Sequence, residues 1–165
     1  MEEETSMEQK ALSRWLKLIL IGLGVCGLVV HFLILPLLGR SLVESYPEFS
    51  CGRWAWLFFL WLAGVPCYAA LWLGWRIATN IGRDRSFTRE NARALKRISQ
   101  MAAGDTLYFF VGNVVFLLLK ASRPEVALVS FLIVFTGAAI AVASAALSHL
   151  TLKAATLQEQ SDLTI

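Results

Sequence analysis

Charge is scarce in this 165-residue chain: Asp, Glu, Lys and Arg make up 16% of it against 57% hydrophobic residues, and mean hydropathy is +0.62. That leaves too little polar surface to coat a globule in water and excludes an ordinary soluble enzyme domain. Histidine and cysteine are few as well, two and three in number, and no Cys-x-x-Cys pair occurs. What the chain has in abundance is uninterrupted apolar sequence. Four runs, at 18–38, 54–75, 101–119 and 126–150, carry almost no charge. At about 1.5 Å of rise per residue each can cross a hydrocarbon core of about 30 Å.

These runs predict an all-α polytopic membrane protein: four transmembrane helices at about 15–39, 54–75, 98–119 and 126–150, in one membrane domain and an antiparallel bundle. Strands are excluded because the runs do not alternate and a lipid-exposed backbone must satisfy its own hydrogen bonds. The first run resembles a signal peptide but is too long, and no small-residue cleavage site precedes Arg40. Of the 15 basic residues, only Arg40, Arg53, Lys120 and Arg123 fall in the loops on one side. The positive-inside rule therefore places both termini and the basic loop 76–97 in the cytoplasm. The outer loops are too short to house a catalytic domain.

Within the runs, His31 lies on an outward-going helix and His149 near the end of an inward-going one, so the two sit at opposite depths and share no metal. No metal, cofactor or catalytic residue is expected, and paired acids or an activated nucleophile are missing. The cysteines read as small hydrophobes, Cys26 and Cys67 near mid-membrane; Cys51, in an outer loop, is a candidate for an intermolecular disulfide. Asp105 is an ionisable group inside a helix, hence a functional hypothesis. It lies only about 6 Å in from Met101, within reach of water and of an arginine such as Arg97. A structural contact, a partner contact and ion movement all stay open for it. Asn113 can hydrogen-bond between helices. Gly137, Ala141 and Ala145 recur every fourth residue and offer a close-packing face, either within the bundle or between copies of the chain.

The loop 76–97 holds seven basic residues against Asp84 and Glu90. It reads first as a topology determinant and lipid-headgroup contact. Gly82, Asp84 and Ser86 predict a turn, and Thr88 a helix cap with Phe87 folded back on the first turn. Asn91, Ala92, Leu95, Ile98 and Met101 then follow at helical spacing. Direct nucleic-acid binding is not expected, since no reading motif accompanies the charge.

The stretch Ser86-Phe87-Thr88-Arg89-Glu90-Asn91-Ala92-Arg93-Ala94-Leu95-Lys96-Arg97-Ile98 resembles the signature of a bacterial membrane family, domain of unknown function 2975. There a Phe-Ser/Thr-x-Glu-Asn-x-x-x-Leu-x-x-Ile segment leads into the third of four helices. The ending, with Asp162-Leu163-Thr164-Ile165, is similar to that family's terminus, though Gln160-Ser161 stands where Glu-Asn is common. The resemblance implies a small inner-membrane protein without assigned chemistry, whose gene neighbourhood suggests a helix-turn-helix regulator as partner. On that expectation Phe87, Glu90, Asn91, Leu95, Arg97 and Ile98, with residues 162–165, form a cytoplasmic docking surface. The alternative is a small transporter or channel subunit using Asp105 and Asn113.

Overall fold

The computed structural model describes residues 2–45, 52–119 and 124–162. Among these residues every regular element is helical, and four stretches are long and apolar enough to cross a membrane. Helix α1 (Glu2–Val29) passes through a π-helical segment (Val30–Ile34) into α2 (Leu35–Ser45), followed by α3 (Arg53–Ile81), α4 (Arg89–Leu118) and α5 (Pro124–Asp162). Cys51, Leu163, Thr164 and Ile165 lie outside the described residues, as does the side chain of Asp162.

The helices run further than the apolar runs that predict them, because their hydrogen bonds are local and do not stop at a membrane face. Helix α3 continues six residues past Trp75 to Ile81, α4 starts at Arg89, and α5 extends past Leu150 to Asp162. The basic loop of 76–97 thus shrinks to residues 82–88. Large apolar side chains point outward throughout, Phe32, Leu118 and Phe135 being 67%, 77% and 69% exposed. Such a surface would aggregate in water; in a bilayer hydrocarbon is its solvent.

Helix α1 packs on α3, α3 on α4, and α4 on α5. The α4–α5 seam is built from small and polar side chains at seven-residue spacing. On α4 these are Ala92, Ser99, Thr106 and Asn113. Ser148 Oγ donates to the Ala92 carbonyl (2.7 Å), Ser99 Oγ to the Ala141 carbonyl (2.8 Å), and Ser130 Oγ to Asn113 Oδ1 (2.8 Å). A Cβ on Gly137 would collide with Thr106 Oγ1. Residue numbers fall along α5 as they rise along α4.

On α5 the covered positions include Ser130, Val134, Gly137, Ala141, Ser144, Ser148, Thr151 and Ala155. Gly137 and Ala141 therefore pack within the bundle, whereas Ala145 is exposed and Ser144 takes its place. A strict four-residue repeat drifts around a helix of 3.6 residues per turn, while steps alternating between three and four, as here from Gly137 onward, keep one seam facing its neighbour.

Aromatic rings dominate the α3–α4 contact. Phe59 stacks on Tyr108 and Phe109 with centroids 4.8 and 5.6 Å apart and meets Phe116 edge-on at 5.4 Å. Gly112 is what admits the Phe59 ring, since a Cβ there would occupy the same space. Between α1 and α3, Ser13 Oγ donates to the Ala78 carbonyl at 2.6 Å, a buried bond. A Cβ on Gly82 would lie 2.7 Å from that oxygen.

Candidate functional site

Most of the sequence-predicted docking residues gather at the Arg89 end of the bundle. Thr88 caps α4 as expected, its side chain accepting from the Asn91 amide N–H (3.2 Å). Asn91 is 2% exposed and is the one large side chain fully buried among the described residues. Its Nδ2 donates to the carbonyls of Arg85 (3.0 Å) and Ser86 (2.9 Å), and its Oδ1 accepts from Asn80 Nδ2 (2.8 Å). One amide thus ties the loop to the ends of both flanking helices. The turn it holds includes Asp84 at φ 59°, a left-handed conformation that short polar residues tolerate. Asn91 positions this surface from beneath.

Two ion pairs complete the frame. Arg76 Nη2 meets Glu90 Oε1 at 2.6 Å. Arg89 grips Glu159 with a fork, Nη2 to Oε2 at 2.6 Å and Nε to Oε1 at 2.9 Å, tying the start of α4 to the far end of α5. The hydrogen bond from Arg89 holds the Glu159 carboxyl below the ordinary carboxylate range, against an opposing desolvation, and the arginine's charge adds a smaller lowering. Beside it is a cleft of about 530 Å³ lined by Gln9, residues 84–90, Ala155, Gln158 and Glu159. Phe87 is 58% exposed and does not fold back on the first turn; the residue one turn into α4 is Ala92, too small to hold it. Leu95 and Ile98 are half-buried, and Arg97 is exposed.

The intramembrane polar residues are not brought together. Asp105 lies at the α3–α4 interface, where the Cys67 thiol is directed at its Oδ2 from 3.9 Å, while its Oδ1 is buried without a hydrogen-bond partner. Arg97, about 12 Å further along the helix axis, lines a different cleft with Trp72 and Met101. Asn113 is occupied by the Phe109 carbonyl (2.7 Å) and Ser130. His31 sits inside the π-helical segment, with Nδ1 2.9 Å from the Gly27 carbonyl, so that this nitrogen carries the proton. Tyr68 Oη lies 3.3 Å from the same nitrogen, Trp61 Nε1 donates to the His31 carbonyl (2.9 Å), and the ring lies against the bare Cα of Gly64. A wider π turn disturbs the regular backbone ladder, and here an indole takes up a main-chain carbonyl.

Sequence reasoning missed Asn80, Phe59, Trp61, Tyr68 and Glu159 as members of these sites. Each is of a type ordinary in its setting, and only its partner across the bundle marks it out.

The chain is 25% identical over 153 residues to "Uncharacterized membrane protein YoaS" of Bacillus subtilis (strain 168), an alignment covering 92% of this chain and 96% of that one. No solved structure matches. The family described as "Protein of unknown function (DUF2975)" matches residues 37–165, a span that takes in the Asn91 loop, the heptad seam and the Arg89–Glu159 fork. With the four spanning helices and both sequence signatures in place, the chain belongs to the DUF2975 family of membrane proteins.

Proposed function

We propose that this is a non-enzymatic inner-membrane protein, an antiparallel four-helix bundle with both termini in the cytoplasm, whose basic end docks a cytoplasmic regulator of the helix-turn-helix class. The observation that carries the reading is the Asn91 clamp. A loop serving only to fix topology needs positive charge, not order. This one is held by a buried amide and two ion pairs, and it presents Phe87 and several basic side chains outward. A rigid, charged rim around an exposed ring is the kind of surface a folded partner recognises without a large ordering cost. Residues 162–165, which follow the Glu159 anchor in the sequence, are the second element of the proposed surface.

A transport role through Asp105 and Asn113 is the weaker reading, because both polar ends of Asn113 are engaged within the bundle.

Photo-crosslinking in cells from probes at Arg93 and Ser161 of the full chain, with the Arg93 probe in a chain lacking residues 157–165 as control, tests the proposal. Capture of a helix-turn-helix protein by the full chain and not by the control is the expected result. Capture of nothing but further copies of this chain overturns it.

A further inference from the structure

Two clefts lie on one face of α4, beside α3. The first, about 410 Å³, is walled by Trp72 and Leu73 of α3 and by Arg97, Gln100 and Met101 of α4. The second, about 560 Å³, is almost wholly apolar and is lined by Gly104, Tyr108, Val111 and Val115 with Phe59 at its floor. At 3.6 residues per turn, 97, 101, 104, 108, 111 and 115 fall on a single stripe. Helix α5 packs on a different side of α4, along 92, 99, 106 and 113. The stripe is therefore open to the bilayer, polar at one end and apolar beyond.

The polar end has an unmet electrostatic requirement. The carboxylates of Glu90 and Glu159 are taken by Arg76 and Arg89, and no ion pair among the described residues reaches Arg93 or Arg97. These two arginines stand one turn apart on the same face, a repulsive arrangement that an anion relieves. Trp72 shares the cleft with Arg97, and the Arg76 guanidinium lies 5.3 Å over its ring. A tryptophan and an arginine at the end of an apolar run mark the headgroup level of a membrane.

We propose that this stripe is a binding site for one anionic glycerophospholipid, its phosphate on Arg97 and Gln100 and one acyl chain in the groove opened by Gly104. The dimensions agree: half of a hydrocarbon core, about 15 Å, carries a chain from Met101 to about Val111 at about 1.5 Å per residue. No side chain beyond its immediate neighbours in sequence comes within 4 Å of a Cβ built on Gly104, so the groove is open there. Charge supplies the choice of headgroup, and the groove supplies the choice of a lipid over a soluble phosphate. The inference needs only that α4 crosses the bilayer, and it stands or falls separately from the partner reading.

Native mass spectrometry of the full chain in mild detergent, titrated with phosphatidylglycerol, phosphatidylcholine or inorganic phosphate, is the test. One phosphatidylglycerol per chain is expected to be retained, with phosphatidylcholine bound about tenfold more weakly and inorganic phosphate unable to compete. Arg97→Ala is expected to lower phosphatidylglycerol retention about tenfold, the scale of losing a charge-assisted hydrogen bond. Lys96→Ala removes the same charge one residue away, off the stripe, and is expected to leave retention within about twofold. Gly104→Leu starts from a Cβ in open space and projects into the groove, and it is expected to weaken binding while thermal stability is kept. Equal loss in the Lys96 and Arg97 variants, equal retention of the two lipids, competition by inorganic phosphate, or full binding by a folded Gly104→Leu chain overturns the proposal.

Discussion

Asn91 has almost no contact with solvent, yet its amide carries two donors and an acceptor that all find partners. Replacing it with alanine leaves the carbonyls of Arg85 and Ser86 and the amide of Asn80 without their bonds, at a cost of about 2–3 kcal/mol where those groups stay dry. The expected outcome for Asn91→Ala is a lower melting temperature in detergent and faster amide exchange in residues 82–88, with α1 unaffected. Asn91→Asp is expected to be no milder, because it sets a carboxylate against two carbonyl oxygens. Thr88→Ala removes only the cap and is expected to cost about 1 kcal/mol. The difference between the two positions separates a clamp from an ordinary helix start, and melting curves of both variants read it.

At the scale of elements, close approach between helices depends on a few glycines. Gly112→Val places side-chain atoms where the Phe59 ring sits and is expected to cost about 1–3 kcal/mol by overpacking. Gly22→Val, on a face of α1 with nothing nearby, is expected to be silent. Comparing the loss of folded protein for the two variants in graded denaturant checks this. The end of α5 responds differently, because Glu159 is its anchor. Its carboxyl is held below the ordinary value, so the contribution of the pair to docking is complete above that value. It is lost as the pH falls through the lowered one. Arg89 is driven further from neutrality and stays charged across that window, so Glu159 alone sets it. Protection factors for amide exchange in residues 155–162, taken relative to the intrinsic rate at each pH, are therefore expected to fall in acid while the α4–α5 seam keeps its protection. Glu159→Gln is expected to abolish that pH response, and exchange measured at neutral and acidic pH decides it.

For the whole molecule the governing fact is that its solvent changes along its length. Apolar side chains stay exposed over the spans, while helix ends carry the charge, and the interior needs few large buried residues because small ones let backbones approach. Orientation then follows from where the basic residues lie. A fluorescent reporter fused after Ile165 is expected to be active in the cytoplasm and a phosphatase fused after Ser45 active outside. The reverse pattern would place the Asn91 loop on the wrong face for the proposed partner.

Composition and unbroken apolar runs were enough to predict four helices of spanning length and no strands, as found among the described residues, since a lipid-exposed backbone leaves few alternatives. The Thr88 cap and the family likeness were equally legible, because both are local patterns read within a dozen residues. Helix ends were less so: hydropathy reports where lipid begins, not where hydrogen bonding stops, and α3 to α5 all overrun it. The seam on α5 was seen at Gly137 and Ala141 but not where it continues through Ser144. The sequence shows which residues are small, and only the partner helix decides which of them are covered. Likewise Asn91 was visible as a motif residue, but its burial depends on Asn80 and on carbonyls that only the folded turn aims at it. Local chemistry dictates helices, caps and span number; pairings across the bundle are long-range, and tertiary packing alone selects them.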